Sequence, residues 1–289
     1  MALQIKKVLN NNVAVILSDK GLETVVMGSG IAFQKKTGDM IPDEKIEKVF
    51  TLTGKDTNSK FQELVTEVPM EHILVSEKII RYAKSNLGKK LSDSIYLTLT
   101  DHISTAVQRY HDGIILKNAL LWDIKQFYPD EYVIGYKAVG IVKADLGVEF
   151  LEDEAAFIAL HFVNAQMNES MTLVHDMTKL IQEITNIVKY HFQIEYNTQA
   201  LAHYRFINHL KFFAQRLFRH TAYEDDDDTS ILDMLREKNK KEYQCAQAIA
   251  HFVKQQYGHQ MGNEEMTYIT VHITRIVKES RKNKENKIE

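Results

Sequence analysis

Glu154-Ala155-Ala156-Phe157-Ile158-Ala159-Leu160-His161 has a counterpart further along the chain in Glu265-Met266-Thr267-Tyr268-Ile269-Thr270-Val271-His272. In both, a glutamate stands seven residues before a histidine, an aromatic four before it and an aliphatic residue just before it. Upstream, Asp101-His102-Ile103 and Asn208-His209-Leu210 each sit in a long apolar helical pattern, 59 and 63 residues ahead of the second histidine. Self-similarity at a fixed interval marks a duplicated structural unit. Two helical units, 66–170 and 171–281, account for it, each with two histidines at matching places.

Working outward, helical periodicity dominates from Thr57 onward. Ile95, Leu97, Leu99, Ile103, Val107 and Tyr110 share one long helical window, and Ala155–Ala165, Leu173–His191, Leu201–Leu217 and Tyr243–Tyr257 read the same way. Ahead of Thr57 the character changes. Val13-Ala14-Val15-Ile16-Leu17 is a short β-branched run, Ser18-Asp19-Lys20-Gly21 a turn signal, and Thr24-Val25-Val26-Met27 the returning strand of a hairpin. Ile31-Ala32-Phe33 and Glu47-Lys48-Val49-Phe50 read as two more strands. The expected architecture is multidomain: a small antiparallel β domain over 1–57, a linker over 58–65, two all-α helical bundles over 66–170 and 171–281, and a polar, frayed tail over 282–289. A core of a few strands is marginal, so dimerisation would help it.

The 289 residues suit two or three domains, and 44% apolar content allows a sizeable core. Only 3 prolines and 12 glycines punctuate the chain, which favours helices over a many-turned β fold. A net charge of −3 excludes a protein coated in basic charge, though not a small basic face. One cysteine, Cys245, rules out an internal disulfide framework. The N-terminal Met-Ala-Leu-Gln-Ile-Lys-Lys breaks into charge too early for a signal peptide, and no apolar run approaches a membrane span. The expectation is a soluble, cytoplasmic protein with no membrane insertion.

Candidate chemistry lies in the histidines and the N-terminal loops. His102, His161, His209 and His272 recur at matching points of the two units. Metal binding needs three or four converging ligands at helical or short-loop spacing, and no such set is visible. General acid–base catalysis would want a nucleophile or a glycine-rich cradle beside it, also absent from the pattern. No metal, cofactor or catalytic residue is therefore expected. Phosphorylation of an imidazole needs only an accessible ring and a donor, and it adds charge that can make or break an interface. In the first domain, Asn10-Asn11-Asn12 and Gly28-Ser29-Gly30 admit two readings, ordinary turn chemistry or contact with RNA. In the second reading the amides read base edges, the glycines admit close approach and Phe33 stacks on a base. Residues 1–57 hold eight basic and seven acidic side chains, so charge supports RNA only weakly. The run Asp225–Asp228, within Tyr223–Ser230, lacks a calcium-loop spacing and reads as a solvated loop.

At these residues the sequence resembles the BglG/LicT/SacY family of transcriptional antiterminators over essentially its whole length. Lys7-Val8-Leu9-Asn10-Asn11-Asn12, Met27–Lys36 and Ile46–Phe50 look like the family's co-antiterminator RNA-binding domain. Asp101-His102-Ile103, Lys117–Trp122 and Asp153–His161 match its first phosphotransferase-system regulatory domain, and His209–Arg216 with Val271-His272-Ile273 match the second. The resemblance implies a homodimer that binds a leader-RNA antiterminator hairpin and so prevents an overlapping terminator from forming. It places RNA contact on Asn10, Asn12, Gly28, Gly30 and Phe33, with Lys7 and Lys36 secondary. Some relatives carry arginine where this chain has Ser29 between the glycines. The phosphorylatable histidines fall on His102, His161, His209 and His272. A sugar-specific Enzyme II would act on the first regulatory domain to silence the protein, and HPr on the second to activate it. The alternative is a DNA-binding activator with the same regulatory domains, which would need a helix-turn-helix ahead of them.

Overall fold

The computed structural model describes residues 2–17, 21, 23–51, 55–167, 171–220 and 229–285. The chain divides into two compact units, Met1–Met171 and Thr172–Glu289. The first begins with an antiparallel sheet of β1 (Ala2–Asn10), β2 (Val13–Leu17), β3 (Glu23–Met27), β4 (Met40–Pro42) and β5 (Lys48–Phe50), in the order β4-β1-β2-β3-β5. Val13 pairs with Met27, Ala14 with Val26 and Val15 with Val25. Side chains alternate across a strand, so Val13, Val15, Val25 and Met27 line one face and Ala14, Ile16 and Val26 the other. Both faces are covered, which is why β2 and β3 read as unbroken apolar runs rather than as alternation.

Two expectations change here. Ile31-Ala32-Phe33 is not a strand but part of a run of tight turns, with Ile31 N–H donating to Gly28 O, Phe33 N–H to Gly30 O and Lys35 N–H to Ala32 O. Gly30 (φ 64°) and Gln34 (φ 55°) are both left-handed, which no strand tolerates. Ile31 and Ala32 are nevertheless buried, because the turns fold them onto the second sheet face beside Ile41. The segment 58–65, expected as a linker, lies inside helix α1 (Lys55–Glu67). Phe61 and Val65 of α1 are wholly buried against the first sheet face, and Asn58 and Gln62 hydrogen-bond the backbone and the carboxylate of Glu23.

The rest of the first unit is helical: α2 (Met70–Asn86), α3 (Ser94–His111), α4 (Leu121–Phe127), α5 (Pro129–Leu146) and α6 (Glu152–Met167). The apolar positions of α6 do not form a stripe, because nearly the whole helix is enclosed. Its run of small residues lets α5 approach: a Cβ on Gly135 would stand 2.0 Å from the carbonyl oxygen of Ala155. The sheet and the bundle share one core, in which Phe50 of β5 meets Phe61 at 5.2 Å between ring centres and Tyr96 of α3 at 5.6 Å.

The second unit repeats the helical plan with α7 (Met171–Phe192), α8 (Leu201–Arg219), α9 (Ser230–Lys238), α10 (Lys240–Tyr257) and α11 (Asn263–Glu285). The five helical windows read from periodicity fall in α3, α6, α7, α8 and α10. The tail expected from 282 onward is helical at its start, since α11 continues to Glu285. The turn residues 18–20 and the aspartates 225–228 lie outside the described residues. No helix among the described residues is long and apolar enough to cross a membrane.

Candidate RNA-binding loop and phosphoacceptor histidines

The loop after β3 is clamped to the turn after β1. Asn12 Oδ1 accepts from Gly30 N–H at 2.8 Å, Asn12 O accepts from Gly28 N–H at 3.0 Å, and Asn11 O accepts from Ala32 N–H at 3.0 Å. Gly28 must be glycine, because a Cβ would lie 2.1 Å from Lys45 O, while Gly30 is needed for its left-handed backbone. Asn10 sits behind this clamp. Its Oδ1 accepts from Asn12 N–H at 2.9 Å and its Nδ2 donates to Val65 O of α1, also at 2.9 Å. Both ends of that amide are thus engaged within the fold. Ser29 N–H is held by Glu47 Oε1 at 2.9 Å.

The structure therefore brings Asn10, Asn12, Gly28 and Gly30 into one hydrogen-bonded unit. Phe33 follows on the same run of turns with 57% of its surface open, an exposed ring suited to stacking. Lys7 on β1 and Lys36 beyond the turns are exposed, and neither side chain takes part in the clamp. Lys36 is placed by its backbone N–H, which donates to Asp39 Oδ2 at 2.7 Å.

The four repeated histidines form two close pairs, one tilted by 47° and one stacked at 26° between ring planes. His102 of α3 and His161 of α6 have ring centres 4.7 Å apart, and His209 of α8 and His272 of α11 stack at 4.9 Å. Each pair is flanked by the aromatic four residues before its second histidine, Phe157 at 6.2 Å from His102 and Tyr268 at 5.5 Å from His209. Burial, with His102 adjacent, holds the His161 ring well below the usual histidine range. Burial beside His272 and Arg216 brings His209 down to about 4, and burial with Arg275 and Arg205 nearby lowers His272. These three rings are neutral at pH 7 and keep a lone pair on one nitrogen. The nitrogens left without a hydrogen bond match between the units: Nε2 of His102 and His209, Nδ1 of His161 and His272, all buried.

A carboxylate and an arginine complete each pair, and their role was not apparent from sequence. Glu154 accepts from Arg109 at 2.9 Å, and its other oxygen lies 3.1 Å from His102 Nε2, in poor alignment for a hydrogen bond. Burial raises the Glu154 carboxyl, but His102 and Arg109 more than offset this and leave it below the ordinary range. In the second unit Glu265 lies 3.7 Å from Arg216 and 3.0 Å from His259. The signal was available, since an arginine stands seven residues after the first histidine of each unit, Arg109 after His102 and Arg216 after His209. Among the described residues no cluster of histidine, cysteine or carboxylate has the geometry to hold a metal ion.

Residues 3–59 match the CAT RNA binding domain, and residues 77–165 and 182–276 match the PRD domain. The chain is 51% identical to the "Transcription antiterminator LicT" of Bacillus subtilis (strain 168), over 96% of this chain and all of that protein. It is 39% identical to the "Beta-glucoside operon antiterminator" of Dickeya chrysanthemi, over 95% of this chain and 96% of that one. Among solved structures, the crystal structure of GlcT CAT-PRDI aligns with a TM-score of 0.51 at 33% identity, covering 58% of this chain and all of that one. The clamped loop lies within the first matched region, and each histidine pair lies within one of the two PRD matches. The chain thus belongs to the LicT/BglG-type family of transcription antiterminators, built from a CAT RNA binding domain followed by PRD domains.

Proposed function

We propose that this antiterminator acts as a homodimer on an antiterminator hairpin in the leader of a sugar-utilisation transcript, with Phe33 and the Asn12–Gly30 clamp at the contact. The observation that carries this reading is the exposed Phe33 ring on a loop fixed by the Asn12 side chain. A rigid loop loses little freedom on binding, and a stacked base can replace the water on that ring. Asn12, Gly28, Gly30 and Phe33 then touch RNA, Lys7 and Lys36 pair with phosphates, and Asn10 acts chiefly by holding Asn12 and α1 in place. The DNA-binding alternative loses its footing, because the N-terminal residues form a sheet and no helix-turn-helix precedes α1 among the described residues.

Control runs through His102, His161, His209 and His272 as phosphoacceptors. A neutral imidazole nitrogen attacks the phosphorus of a donor phosphohistidine or phosphocysteine, a new N–P bond forms, and the donor's bond to phosphorus breaks. The lowered basicity of His161, His209 and His272 supports this role, since only an unprotonated nitrogen is nucleophilic. HPr is the proposed donor to the second PRD and a sugar-specific Enzyme II the donor to the first. The ring nitrogens that lack a hydrogen bond are buried, so transfer to one of them would require the paired helices to part and would couple phosphorylation to conformational change.

Gel-shift titration of the full chain against leader hairpins, beside duplex DNA of the same length, tests the RNA reading. Salt-sensitive binding to hairpin RNA alone, weakened in Phe33→Ala and Asn12→Ala, is expected. Equal affinity for the DNA, or indifference to both substitutions, would refute the assignment of this face.

A further inference from the structure

In each helical unit the helix preceding the glutamate ends on a left-handed glycine, Gly147 (φ 70°) after α5 and Gly258 (φ 68°) after α10. The cap is built alike in both, the glycine N–H donating to the carbonyl of Lys143 or of Lys254, and the glutamate follows seven residues on. The two segments are therefore equivalent position by position, and the residue after the cap differs. In the first unit it is Val148, buried in the apolar core. In the second it is His259, partly open to solvent, with Nε2 3.0 Å from Glu265 Oε2.

That substitution changes where the carboxylate goes. Glu154 has no such neighbour and spans Arg109, at 2.9 Å, and the Nε2 face of His102, at 3.1 Å. Glu265 is taken up by His259, and among the described residues it forms no hydrogen bond or ion pair with Nε2 of His209. Among the described residues Nε2 of His209 has no hydrogen-bond partner, whereas Nε2 of His102 faces a carboxylate oxygen. An incoming phosphoryl group carries nearly two negative charges, so a carboxylate at the acceptor atom both blocks and repels it.

We propose that His259 is a positioning residue that draws Glu265 away from His209, leaving His209 more readily phosphorylated than its equivalent His102. This rests on the reading of the histidine pairs as phosphoacceptors. It makes the two PRD units unequal by construction: one acceptor is latched by its own glutamate, the other has had that latch removed by one histidine.

The test uses the full chain and phosphoramidate, a small donor with no docking surface, so that partner recognition does not enter. The ring nitrogen's lone pair forms the new N–P bond, the P–N bond of phosphoramidate breaks, and its electron pair leaves with ammonia. Phosphate on each histidine is followed in time by mass spectrometry of peptides kept at alkaline pH. His209 is expected to label about tenfold faster than His102, and His259→Val to slow His209 about tenfold, the scale of one charge-assisted hydrogen bond. His259→Gln keeps a donor for Glu265 and should restore the rate. So should Glu265→Ala added to His259→Val, because the obstructing carboxylate is then gone. Labelling of His209 at the wild-type rate in His259→Val would overturn the inference while leaving the acceptor reading intact. A double variant that stays slow would overturn it too, by showing that His259 acts through folding alone. No label on His209 in any form would overturn the acceptor reading itself.

Discussion

At the scale of single residues, the two kinds of site obey opposite demands. The proposed RNA face keeps an apolar ring in water, and the proposed phosphoacceptor pairs keep polar rings largely out of it. Phe33→Ala removes a stacking platform and should weaken hairpin binding by about 1–3 kcal/mol without changing thermal stability, readable as a shifted titration midpoint beside an unchanged melting curve. Gly28→Ala should do both harms, since its Cβ meets Lys45 O at 2.1 Å and the loop must move. The buried histidines predict a pH dependence of a definite sign. Their folded basicity is lowered, so the unfolded chain binds more protons once the pH falls below the ordinary histidine value of 6.5. Their contribution is therefore whole above pH 6.5 and is lost as the pH falls toward about 4, the value for His209. The melting temperature should drop between pH 7.5 and pH 5. Asn10 shows where reading residue types from sequence stops. Its amide is as suited to base edges as that of Asn12, but it faces Val65, a partner 55 residues away that local pattern does not reveal. His259 was equally hidden, being one of twelve histidines and outside the repeat's shared positions.

At the scale of elements, the duplicated helices were legible because each carries its own period, and the repeat placed two histidines in each unit, which α3 with α6 and α8 with α11 bring into one pair apiece. The misreadings share one physical cause, which is tertiary burial imitating local pattern. Ile31 and Ala32 are apolar because they cover a sheet face, and the pattern alone does not separate a covering turn from a strand. Helix α1 looked like a connector because it follows the strands with only Phe61, Leu64 and Val65 as apolar anchors over 58–65, yet it seals the opposite face. Phe61→Ala should cost about 3–5 kcal/mol in a denaturant melt, in line with a large buried ring replaced by a cavity. Gly135→Ala should destabilise the first unit by about 1–3 kcal/mol, because α5 and α6 touch there with no room for a methyl group. The core shared by Phe50, Phe61 and Tyr96 also has a functional corollary. Helix α3 carries both Tyr96, which meets Phe50 of the sheet, and His102, so under the proposed control a movement of α3 at His102 would bear on the sheet that carries the proposed RNA loop. The ion pair of Lys48 with Glu77, at 2.9 Å, adds a second tie between sheet and bundle.

At the scale of the whole molecule, the proposed control is a population shift between dimers that hold two RNA-binding sheets together and dimers that do not. A tenfold shift needs only about 1.4 kcal/mol, which a few charge-assisted contacts to phosphate can supply. Aspartate at His209 and His272 together should tighten the dimer in sedimentation equilibrium, and aspartate at His102 and His161 should loosen it. The central claim is antitermination through the Phe33 loop, and single-round transcription across a leader with overlapping hairpin and terminator tests it most directly. The account predicts that the full chain, with His209 and His272 phosphorylated, raises read-through in proportion to hairpin occupancy, and that Phe33→Ala at the same concentration does not. Termination unchanged while the hairpin is fully bound, or read-through undiminished by Phe33→Ala, would contradict it.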